Sequence, residues 1–74
     1  MAVEVLQNTL RVERTRRGLT QEQLAELVGV TRKTINTVEN GRFIPSTLLA
    51  LKLARTLQLP VEELFLLAPA LRKR

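Results

Sequence analysis

The sequence predicts an all-α domain of five short helices, with the second and third forming a helix-turn-helix unit. Three observations predict it. All three glycines and all three prolines fall at helix ends or in loops. Thr20, Thr31 and Ser46 each stand just ahead of a stretch with helical apolar spacing, as N-caps do. Only Gly29 and Val30 separate the apolar stripe of helix 2 from the cap of helix 3, and a link that short fixes the angle between two helices.

The elements follow in chain order. Residues 1–7 have no clear helical start and are expected to be a frayed N-terminal arm, although Val3, Glu4 and Val5 alternate as an extended arm would. Helix 1 should start near Asn8, a good cap, and run to Arg17, with Gly18 closing it. Leu10 and Arg14 share one of its faces, and Arg16 and Arg17 sit in the last turn, where cations suit the helix dipole. Helix 2 opens with Thr20 and Gln23 at capping-box spacing and with Leu19 and Leu24 as a staple. Leu24, Leu27 and Val28 are its expected buried stripe, and Ala25 is small enough for close helix contact.

Helix 3 starts at the Thr31 cap, with Val30 and Ile35 at staple positions, and ends at Gly41. Ile35 and Val38 should face inward. Arg32, Lys33, Asn36 and Thr37 then face outward, none of them acidic and all able to donate hydrogen bonds. That face suits the major groove of DNA, against the plainer alternative of a solvated surface helix. Arg42 to Pro45 form a loop. Helix 4 should run from Thr47 to about Gln58 with Leu49, Leu53, Ala54 and Leu57 as core and Lys52 and Arg55 toward water. Helix 5 begins near Pro60 and Val61, with Glu62 and Glu63 in its first turn and Leu59 and Leu64 as a staple. The expected organisation is an arm over 1–7, one domain over 8–67 and a loose basic tail over 68–74.

At 74 residues and 45% hydrophobic, the chain suits one small domain with a modest core. Twelve Lys and Arg against seven Asp and Glu give net +5, which favours an anionic partner. There is no cysteine and no histidine, so the commonest metal ligands and the commonest general base are missing. Glu62 and Glu63 are adjacent and point to different helix faces, a poor catalytic pair. No catalytic residue, metal site or cofactor is expected, and the chain does not read as an enzyme. Aromatic residues are 3%, which argues against binding single strands by stacking. No uncharged apolar run approaches the roughly 18 residues of a membrane span, and no signal peptide is visible.

Taken together, Gly18 to Ala25, Val28 to Thr31, Ile35 to Gly41 and Pro45-Ser46 resemble the phage-repressor-like (Cro/C1, or XRE) helix-turn-helix family over about residues 8–66. The resemblance implies a compact, five-helix, lambda-repressor-like domain that binds double-stranded DNA in the cytoplasm, on the nucleoid. Helix 3 would enter the major groove. Thr31, Arg32, Lys33, Thr34, Asn36 and Thr37 match its DNA-facing positions, and Thr20, Gln21, Asn40 and Arg42 match places beside the phosphates. Arg14 and Glu39 match a structural ion pair of the family. The chain is similar to the family's minimal, stand-alone type, with no small-molecule effector implied.

Apolar residues are in surplus late in the chain: Leu48, Leu51, Phe65, Leu66, Leu67 and Leu71 exceed what one face of two short helices can bury. A homodimer interface at Phe65, Leu66, Leu67 and Leu71 is expected, with a slightly richer core as the alternative. The functional expectation is a transcriptional regulator, a repressor acting by occupancy as a homodimer on a near-palindromic operator. Alternatives are an antitoxin or restriction–modification controller of the same fold, or a protein-interaction module.

Overall fold

The first four helices begin where the chain supplies a side chain to catch a free N–H group, while the fifth starts after Pro60 without one. The computed structural model describes residues 4–69. The element order is β1 (Glu4–Asn8), α1 (Leu10–Arg16), α2 (Gln21–Val28), α3 (Arg32–Glu39), α4 (Thr47–Leu57), α5 (Val61–Leu64) and β2 (Phe65–Pro69). Thr20 accepts from the Gln23 backbone N–H while the Gln23 side chain accepts from Thr20 N–H, a complete capping box at the start of α2. Thr31 and Ser46 accept from Thr34 and Leu49 in the same way. At α1 the cap is displaced. Thr9 holds the N-cap position without a side-chain bond, and Asn8 Oδ1 accepts from Leu10 N–H at 3.0 Å.

The first four helices are followed by left-handed residues, Gly18, Gly29, Gly41 and Gln58, whereas α5 runs straight into strand at Phe65. After α3, Gly41 (φ 73°) donates to Val38 O and Arg42 N–H donates to Thr37 O, the Schellman pair of bonds. Gly29 (φ 78°) turns the chain between α2 and α3, so the two helices are joined without a longer loop. The Val28–Thr31 link and the packing of α2 on α3 form the helix-turn-helix unit.

The core gathers one side of every helix: Leu10 from α1, Leu24, Ala25 and Val28 from α2, Ile35 and Val38 from α3, Leu49, Leu53, Ala54 and Leu57 from α4, and Leu64 from α5. Leu27 departs from the expected stripe and is 61% exposed. At about 100° per residue, Leu24, Ala25 and Val28 centre the buried arc so that Leu27 falls about 110° away from its middle.

The all-α expectation is corrected by a two-stranded antiparallel sheet. β1 pairs with β2 in the register Glu4↔Pro69, Val5↔Ala68, Leu6↔Leu67, Gln7↔Leu66 and Asn8↔Phe65. Helix 5 stops at Leu64 after one turn, and Phe65–Pro69 continue as strand. A short apolar run such as Phe65-Leu66-Leu67-Ala68 fits a helix or a strand by periodicity alone, and the pairing partner lies at the other end of the chain. The expected arm and tail boundaries therefore fall inside β1 and β2. Leu71 and the basic residues Arg72, Lys73 and Arg74 lie outside the described residues.

Candidate nucleic-acid interface

α3 presents two unlike sides. Ile35 and Val38 are fully packed in the core, while Arg32 and Lys33 are exposed in the first turn and Asn36 and Thr37 are half-buried on the same outer side. Thr37 Oγ1 donates back to Lys33 O at 3.1 Å and Thr34 O at 2.9 Å, so its hydroxyl faces outward as an acceptor rather than a donor. Thr31 and Thr34 hydroxyls sit 3.1 Å apart at the N-terminal cap.

The single acid on α3, Glu39, is withdrawn from this surface. Its side chain has 0% exposure, and Arg14, at 11%, donates through Nε to Oε2 at 2.6 Å and through Nη2 to Oε1 at 3.3 Å. Gln21 Nε2 donates to Oε1 at 3.0 Å and Arg11 Nε to the same oxygen at 3.3 Å. Burial pushes the Glu39 carboxyl pKa up, but the bonds from Arg14, Gln21 and Arg11 and the Arg14 charge outweigh it. The net shift is below the ordinary value of 4.5. Arg14 also donates to Leu19 O at 2.7 Å. One carboxylate thus ties α1, the start of α2 and the end of α3 together, and Gln21 is held beside α3 by it.

Arg11 is the residue that the sequence reading missed. It lies one turn before Arg14 on the same side of α1, and that spacing is the signal that places it beside the same carboxylate. Its Nη2 donates to Asn40 Oδ1 at 2.9 Å. Arg42, exposed, follows the Gly41 turn at the end of α3.

Of the expected self-association residues, Phe65 packs on its own core, and Leu66 and Leu67 are 38% and 68% exposed on β2. Val5 and Leu6 are exposed on β1 beside them, while Leu48 and Leu51 are exposed on α4. Among the described residues no helix is long and apolar enough to cross a membrane.

The helix-turn-helix family model matches residues 10–64 of the chain. Over 63 residues the chain is 48% identical to an uncharacterized HTH-type transcriptional regulator of Methanothermobacter thermautotrophicus, spanning 84% of this chain and 91% of that one. The fold is similar to the restriction-modification controller protein C.AhdI from Aeromonas hydrophila, with TM-score 0.69 and 42% identity over 73% of this chain and 82% of that one. It is also similar to the P22 c2 repressor solved in complex with a synthetic operator, with TM-score 0.70 and 26% identity over 72% and 80% of the two chains.

Proposed function

The chain belongs to the Cro/C1-type (XRE) helix-turn-helix family of DNA-binding transcriptional regulators, which are not enzymes, and on that premise we propose that it is a sequence-specific repressor binding a near-palindromic operator as a homodimer. The observation that carries the proposal is the outer side of α3. It offers Arg32, Lys33, Asn36 and Thr37 with no competing carboxylate, because Glu39 is consumed by its partners.

Arg32 and Lys33 stand at the N-terminal end of α3, the end that reaches base edges in helix-turn-helix docking. Arg32 is the better guanine ligand, since its rigid fork matches O6 and N7 together. Asn36 and Thr37 lie one turn deeper, with Thr31 and Thr34 at the helix start. Thr20, Gln21, Asn40 and Arg42 flank this surface as phosphate ligands, which set register without reading sequence. Self-association uses Leu66 and Leu67 of β2 together with Val5 and Leu6 of β1, with Phe65 as their anchor in the core. The two recognition helices would meet half-sites about 34–36 Å apart.

Selection of bound duplexes from a random pool, followed by titration at several salt concentrations, tests the assignment. Arg32→Ala should cost roughly 1–3 kcal/mol on the selected site and relax one position. Arg42→Ala should weaken every duplex about equally and lower the salt slope by about one. Equal loss on selected and scrambled DNA for Arg32→Ala would make Arg32 a phosphate ligand. The 42% identity with C.AhdI favours a second reading, a restriction–modification controller. A restriction enzyme encoded beside the gene, under a promoter that carries the selected site, would decide for it.

A further inference from the structure

The hydrogen bonds around Asn40 run in one direction. Arg11 Nη2 donates to Asn40 Oδ1 at 2.9 Å, and Asn40 Nδ2 donates to Asn36 Oδ1 at 3.1 Å. A guanidinium carries donors and no acceptor, so Arg11 decides which end of the Asn40 amide faces α1. That end must be oxygen. The nitrogen of Asn40 is then left for Asn36 and can meet only its oxygen. In a planar amide the oxygen and nitrogen point apart, so the Asn36 N–H groups are turned away from Asn40. Arg11 is itself anchored, since its Nε donates to Glu39 Oε1 at 3.3 Å and Glu39 is held by Arg14 and Gln21.

We propose that Arg11 is a positioning residue for sequence reading: through Asn40 it locks Asn36 with its N–H groups outward, so that Asn36 selects a base edge offering acceptors. The inference rests on the reading of α3 as the groove helix. An unconstrained asparagine uses oxygen and nitrogen together on the N6 and N7 of adenine. Asn36, with its oxygen turned to Asn40, instead suits guanine N7 and O6 or thymine O4, and disfavours cytosine, whose groove edge is a donor.

Three proteins separate this from a merely structural role: wild type, Arg11→Met and Asn40→Asp. Each is put through duplex selection from a random pool. Wild type should enrich guanine or thymine at the position contacted by Asn36. Arg11→Met frees the relay, and adenine should gain about 5–10-fold there relative to wild type, the scale of one modest base contact. Asn40→Asp keeps an acceptor for Arg11 but accepts from Asn36 as well. The Asn36 oxygen then turns outward, and the preference should move toward cytosine or adenine. A structural role alone would weaken all duplexes and leave base preference in place. Identical preferences in the three proteins would overturn the proposal. In the free protein, NOE contacts between the Asn40 side-chain amide hydrogens and the Asn36 β-hydrogens should be present and should vanish in Arg11→Met. Their absence from wild type overturns the relay whatever the DNA result. A wild type that shows the contacts yet enriches no sequence overturns the groove reading instead, and the relay's role with it.

Discussion

The α2–α3 unit and the β1–β2 ribbon hold their shapes by opposite means. In the first, neighbours in sequence do most of the work: Thr20 and Gln23 cap α2, Gly29 makes the turn, Thr31 caps α3, and Gly41 ends it. Its distant polar ties come from α1 and β1: Glu39 to Arg14 and Arg11, with the Glu39 side chain sealed from water, Asn40 to Arg11, and Val38 O to Asn8. In the ribbon nothing is local. Glu4 meets Pro69 and Asn8 meets Phe65, and the side chains of Val5, Leu6, Leu66 and Leu67 are still substantially exposed. A two-stranded ribbon is marginal by itself and needs packing on something else. The contrast teaches that the ends of α2 and α3 are set by residues in or next to them, while both strands of the ribbon depend on a distant partner and on the core beneath.

The largest expected effect breaks the first region. Glu39→Ala strands Arg14 at 11% exposure and frees Gln21 and Arg11, and should cost about 3–5 kcal/mol in chemical denaturation. A melting temperature equal to wild type would refute the tie. The same carboxylate sets an acid limb. Its folded pKa lies below the ordinary 4.5, so its contribution is fully present above that value and is lost as pH falls through the folded pKa. Melting followed from neutral pH downward should fall less steeply in Glu39→Gln than in wild type.

The next effect lies where the two regions meet. Asn8 Nδ2 donates to Val38 O at 3.0 Å and its Oδ1 accepts from Leu10 N–H. Asn8→Ala should cost about 1–2 kcal/mol through an unmatched carbonyl and a lost cap. A loss below about 0.3 kcal/mol in urea denaturation would show that water replaces both bonds. The smallest folding effect falls on the ribbon surface. Leu67→Lys, at a 68% exposed position, should change monomer stability by less than about 0.5 kcal/mol yet abolish the proposed self-association in sedimentation. A dimer as tight as wild type would move the interface elsewhere, with Leu48 and Leu51 the next place to look.

The same division governs what the sequence reveals. Caps, left-handed ends and the inward residues of α3 and α4 are legible because each depends on neighbours within four positions. Leu27 misleads because a three-residue apolar spacing does not say which way the buried arc is centred, and Ala25 pulls it the other way. The strand Phe65–Pro69 is illegible because its apolar run has no period of its own and its partner is at the far end of the chain. On the candidate interface, the outward set Arg32, Lys33, Asn36 and Thr37 follows from helix geometry. The inward bond of the Thr37 hydroxyl and the Arg11–Asn40 contact depend on rotamers and on the α1–α3 approach, which spacing does not encode.

Because β1 pairs with β2, closing the ribbon encloses all five helices in one loop. Closing so long a loop is entropically costly before any contact rewards it, whereas the α2–turn–α3 contacts close early. On this ground the ribbon is expected to close after the α2–turn–α3 contacts. Substitutions that weaken it should then speed unfolding and leave the folding rate nearly unchanged, which a chevron of rates against denaturant checks.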